Sequence, residues 1–192
     1  MSLIVTSRGI DTQGYSSSGT NAASVTSQAL DPDSSIHYVF GEMSYTSETA
    51  LKINMTCLDS SGSNIALKYR LTRNGTTSTL SSEFTTSDIP TTYDTLGNLD
   101  DTTIGGERLS FMFIVDNKLN ASIPYSIPTI FGSTNAKSDA GTFRMHELYM
   151  RTMGTSPSSA SPTTKFSQFR FAPAGGTGSI EQWRITIYKL TS

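Results

Sequence analysis

A chain of 192 residues with 35% apolar and 16% charged side chains is long enough for one domain with a sizeable core, yet low in both charge and apolar bulk. Its net charge of −2 and the lack of any Lys/Arg cluster argue against a nucleic-acid binder, and no segment approaches the ~20 apolar residues of a membrane-spanning helix. Cys57 is the single cysteine, so no intrachain disulfide forms.

Ser and Thr make up roughly 30% of the chain, well above ordinary usage. Thr fits a pleated surface through its branched Cβ, and Ser favours turns by bonding nearby backbone. In chain order, Leu3-Ile4-Val5 is too short for a secretory signal and reads as part of a short strand, so the chain is expected to be made and folded in a cytoplasm. Residues 7–35 are almost without apolar content, Tyr15, Val25 and Leu30 being the isolated exceptions, and read as an N-terminal polar arm or long loop. Residues 1–35 are thus set apart from a domain over 36–192.

From Ile36 the alternation is clear. Ile36, Tyr38 and Phe40 form one face of a strand; Leu51, Ile53, Met55 and Cys57 form one face of the next, which makes Cys57 a buried strand residue. The run 59–63 is a turn, and Ile65 to Leu71 a strand followed by Asn74-Gly75, a hairpin dipeptide. Residues 76–105 read as a long loop with one short strand. Leu109 to Val115 carries apolar residues at both parities, Met112 and Ile114 included, which predicts a central strand covered on both faces. Tyr125 to Phe131 contains Pro128 and follows Pro124, which predicts a strand near an edge. Phe143 to Arg151 reads as a strand in preference to a helix. The last strands are Phe166 to Phe171 and Ile180 to Leu190, joined by a glycine-rich turn over 172–178. About eight or nine strands separated by turn signals predict an all-β, antiparallel two-sheet β-sandwich, jelly-roll-like.

Several of these segments carry a resemblance. Phe169-Arg170-Phe171, Gly175-Gly176-Thr177-Gly178-Ser179-Ile180 and Ile185-Thr186-Ile187-Tyr188-Lys189-Leu190 together resemble the closing hairpin of small jelly-roll domains in bacteriophage virion proteins. Tyr38 to Met43 and Leu67 to Thr76 are similar to the first hairpins of such domains, and Phe143 to Tyr149 to a middle strand. Lys189 departs from the pattern, standing where a Gly commonly follows the Tyr. The resemblance implies a structural protein on the surface of a phage head (decoration or cement) or tail fibre, located in the virion. It supplies no catalytic residues, and it brings sugar-binding relatives with it.

Candidate chemistry is sparse. His37 and His146 sit in predicted strands without the further ligands a zinc site needs or the partners of a triad. Asp31-Pro32-Asp33 and Asp100-Asp101 are carboxylate pairs without calcium-loop spacing, and turn chemistry accounts for the first. Residues 175–178 lack the Lys of a phosphate loop. The sequons at Asn54, Asn74 and Asn120 occur at the frequency chance gives in so Ser/Thr-rich a chain. Trp183 reads as core, whereas Tyr15 and Tyr93, with Asp100 and Asp101, are the candidates for contact with a partner or a glycan. The expectation is therefore a non-enzymatic protein with no cofactor and no metal. Its partners would be other virion proteins and further copies of itself, a trimer among the arrangements, with no nucleic acid and no membrane insertion. The alternative is a carbohydrate-binding module that recognises a host cell-surface glycan.

Overall fold

A computed structural model describes residues 15–34, 36–46, 53–65, 67–75, 78–83, 93–96, 107–118, 127–137, 143–152, 164–173 and 178–190. These residues form strands and connections, with no helix among them. In chain order the strands are β1 (Tyr15–Ala22), β2 (Val25–Thr26), β3 (Ile36–Thr46), β4 (Ile53–Leu58), β5 (Leu67–Gly75) and β6 (Ser78–Glu83). There follow β7 (Tyr93–Leu96), β8 (Glu107–Asp116), β9 (Thr129–Lys137), β10 (Phe143–Thr152), β11 (Gln168–Pro173) and β12 (Ser179–Lys189). They build two antiparallel sheets: a large one in the order β1-β12-β3-β8-β9-β10-β5-β6 and a small one in the order β2-β11-β4-β7.

The pairing is nested. β1 pairs with β12, β2 with β11, β3 with β8, and β4 with β7. This is one long folded-over ribbon whose successive pairs alternate between the sheets. Wrapping it brings β12 against β3 and β11 against β4. The result is jelly-roll connectivity, the architecture read from the turn spacing. Two further pairs of strands, β5–β6 and β9–β10, enter between β4 and β7 and after β8; they meet through β10 and β5 and widen the large sheet.

Five local expectations change. The range 76–105, expected to be a long loop with one short strand, holds two strands in its described part, β6 and β7. An arm or long loop over residues 7–35 gives way, in its described part, to the first two strands of the roll. β1 has almost no apolar pattern; backbone pairing to β12 defines it, and Gly19 lets the Trp183 indole lie against its Cα, where a Cβ would approach the ring at 2.9 Å. Beyond β2 the chain keeps following β11: Ser27 N–H donates to Phe169 O, Phe169 N–H to Ser27 Oγ, and Leu30 N–H to Ser167 O, with Val25 and Leu30 buried. The segment over 166–190 is not a closing hairpin, because β11 and β12 lie in opposite sheets and do not pair with each other. β9 lies between β8 and β10 and not at an edge, since it starts only after Pro128 and the missing N–H falls outside the ladder. β8 is central in its sheet, but its second face is open, with Met112 exposed. Asn74-Gly75 does close β5 towards β6, although Gly75 pairs with Ser78 and so belongs to the ladder. The short strand Met1 to Thr6 lies outside the described residues.

The core lies between the sheets. Phe111 stacks on Phe113 at 4.7 Å along β8 and on Phe171 at 4.9 Å across the sandwich; Phe169 packs near Phe113 and Phe166. Cys57 is buried in β4, and burial pushes its thiol pKa up, which keeps it protonated and unreactive. In β12 a bulge between Ile180 and Gln182 adds one residue and restores the inward phase for Trp183, Ile185 and Ile187.

Just past β8, buried Asn117 imitates a strand neighbour. Its Nδ2 donates to Phe166 O at 2.8 Å and its Oδ1 accepts from Phe166 N–H at 3.0 Å. Asn117→Ala leaves both backbone groups unpaired in a dry site, and a loss of about 2 kcal/mol is expected in urea unfolding.

Candidate functional site

Strand alternation sends every second residue of the large sheet away from the core, and its outer face carries four register rows. The first runs Tyr188–Tyr38–Ile114–Phe131–Tyr149 and the second Thr186–Phe40–Met112–Ser133–Glu147. The third runs Ser18–Arg184–Glu42–Ser110–Asn135–Met145 and the fourth Thr20–Gln182–Ser44–Arg108. The face therefore changes character along its strands, from aromatic at one end to charged and amidic at the other.

At the aromatic end Phe40, Met112, Phe131 and Tyr149 are 36–48% exposed, values more typical of surface polar residues. Phe131 and Tyr149 lie at 5.0 Å, and Phe40 meets Tyr188 edge-on at 5.9 Å. Because the residues sit on neighbouring strands about 4.8 Å apart, they make one continuous apolar band and not scattered single side chains. At the polar end the sheet forms a groove of about 640 Å³ whose wall includes Glu42, Arg108, Asn135, Gln182 and Arg184. Among the described residues neither arginine nor Glu42 takes part in an ion pair.

The inner end of β3 holds a second polar feature. His37 is fully buried, and neither ring nitrogen has a hydrogen-bond partner. Burial pulls its pKa down to about 4, outweighing the nearby Asp31, whose charge favours the protonated ring. Asp31 is bound by Lys189 at 2.6 Å, which with the Asp33 N–H holds its carboxyl below the ordinary value. The Lys189 that departs from the phage-like pattern thus ties the segment after β2 to β12. Asp31 Oδ1 also accepts from Asp33 N–H at 2.9 Å, the turn chemistry expected of Asp-Pro-Asp.

Of the residues singled out for contact, Tyr15 opens β1 on the large sheet and Tyr93 opens β7 on the small one, so the fold does not bring these two positions together. Asp100 and Asp101 lie outside the described residues. Trp183 packs against the core. The outer-face rows escaped sequence reasoning, because each takes one residue from each of four to six strands and register cannot be read along the chain. Among the described residues no three His, Cys, Asp or Glu side chains gather to hold a metal ion. The chain matches no protein-family model, no curated protein and no solved structure.

Proposed function

We propose that this is a structural, non-enzymatic protein of the bacteriophage particle surface, a head-decoration or tail-fibre component that works by protein–protein contact. The observation that carries the contact reading is the exposed apolar band on the large sheet, since contiguous exposed apolar surface of this kind marks association sites. Low charge supports it as well, because neighbouring copies repel one another little. The virion location rests on the strand segments similar to phage jelly-roll domains. A carbohydrate-binding role is the second reading, favoured by the polar groove on the same face.

The test pairs sedimentation with labelling of particles. The full chain is expected to self-associate at roughly 10–100 μM, and M112S/F131S to weaken that association by about tenfold while melting as the parent does. A chain that stays monomeric, or an assembly indifferent to the substitutions, would count against the band as contact surface. Antibody labelling of particles purified from infected host cells tests the location; unlabelled particles would overturn it.

A further inference from the structure

We propose that the polar end of the outer face is a binding site for a carboxylate-bearing saccharide, lying across β1, β12, β3, β8 and β9 with its acid groups on Arg184 and Arg108. The groove, at about 640 Å³, falls within the usual range of ligand sites, roughly 300–1,000 Å³. It is open along the sheet, and the row from Ser18 to Asn135 crosses four interstrand steps, about 19 Å. That length suits a chain of sugars better than a single small ion.

The donor and acceptor set selects the ligand class. A guanidinium presents a planar fork that fits a carboxylate bidentately, and Arg184 and Arg108 stand in adjacent rows with no ion pair among the described residues. Opposing them is one carboxylate, Glu42, directly beside Arg184 in the register. A ligand made only of anionic oxygens, such as a phosphate, would meet repulsion there and leave the acceptors idle. A polyhydroxylated acid uses both kinds of group: its carboxylate takes the arginine forks, while its hydroxyls donate to Glu42 and to the amide oxygens of Asn135 and Gln182 and accept from the amide nitrogens. The next row places exposed Phe40 and Met112 along the border, where a sugar's C–H face finds apolar cover. The local charge, two arginines against one glutamate, is positive on a chain whose net charge is −2, so attraction of an acidic polymer is directed to this end.

The two surfaces meet at Phe40 and Met112, but the arginines and amides that would hold the ligand lie outside the assembly band, whose other members are the aromatic residues toward the opposite end of the strands. Titration calorimetry on the full chain tests it with three probes: polygalacturonate, polysialic acid and neutral dextran. At least one acidic polymer is expected to bind with millimolar or better affinity per sugar, and dextran is not. R108Q/R184Q should weaken that binding by about tenfold or more, while R151Q, which removes an arginine of β10 on the aromatic side of the same face, should leave it within about twofold. Circular dichroism and melting of each variant confirm that the fold is intact. Absence of binding to both acidic polymers, equal binding of dextran, or an equal loss in R151Q overturns the proposal. Sedimentation of R108Q/R184Q is expected to match the parent, so a failed assembly reading and a failed saccharide site are told apart.

Discussion

Gly132→Ala is expected to destabilise the sandwich by about 4 kcal/mol, more than the same change at Gly41. Gly132 lies in β9 opposite Phe113 of β8 and Leu148 of β10. A Cβ there would sit inside van der Waals contact of the Met112 carbonyl oxygen and would also meet the Phe113 ring and, at 3.0 Å, the Phe113 Cα. Two of those three atoms belong to the backbone of a central strand, so relief requires β8 and β9 to part. Gly41 gives the contrast. A Cβ there would strike the Phe111 ring, which is stacked on Phe113 and Phe171 but is a side chain and can tilt. Gly41→Ala is accordingly expected to cost less, about 2 kcal/mol. Urea unfolding of both variants checks the order, and a Gly132→Ala loss below that of Gly41→Ala would show that β8 and β9 are not in such close approach.

Stability is expected to fall by about 3 kcal/mol as the pH drops from 6.5 to 4, with His37 as the source. In the unfolded chain its imidazole titrates near the ordinary 6.5; in the fold, burial lowers the pKa to about 4. Above 6.5 the ring is neutral in both states and the full stability is present. Between 6.5 and 4 the unfolded chain takes up a proton that the folded one refuses, so unfolding becomes easier. Below 4 both states carry the proton and this slope ends. Asp31 acts in a separate window: its carboxyl is held low by Lys189, so its contribution is lost only as the pH falls below 3.8. His37→Leu removes the proton and the two unpartnered ring nitrogens together. It should flatten the profile between pH 6.5 and 4 and leave stability at neutral pH equal or higher. Urea midpoints at a series of pH values decide the matter; a parent profile that is flat there, or a slope that survives in the variant, would remove His37 as the cause.

What the chain disclosed in one dimension was its period. β4 and the later part of β12 follow from alternation, β8 from an unbroken apolar run, and the Asp31 and Asp59 turns from side-chain oxygens that cap nearby N–H groups. β3 was legible as a strand, but its core face is His37, Val39, Met43 and Tyr45, and Phe40 of the face marked by Ile36 and Tyr38 is exposed. Strands stabilised by their partners gave no such signal. Tyr-Ser-Ser-Ser-Gly-Thr-Asn-Ala of β1 has no alternating apolar face, and its ladder to β12 is a matter of backbone and of one indole over one glycine. Polar Ser133 to Lys137 likewise becomes strand because β8 and β10 flank it on both sides. The outer face was misread for a related reason. Apolar residues at both parities of β8 look the same in sequence whether a second layer covers them or the surface is left bare for another molecule.

The nested order of pairs has a consequence for how the chain is made. β1 and β2 leave the ribosome first, yet their ladder partners β12 and β11 come last. At a synthesis rate of about 5–20 residues per second, β1 waits roughly 10–30 s for β12, its ladder partner among the described strands. An apolar strand held open that long is a template for joining other chains. The serines, threonine and asparagine of β1 make it a poor template, at the expense of any strand signal of its own. The segment that looked least like part of the fold is composed as a strand must be if it is to emerge early and pair late.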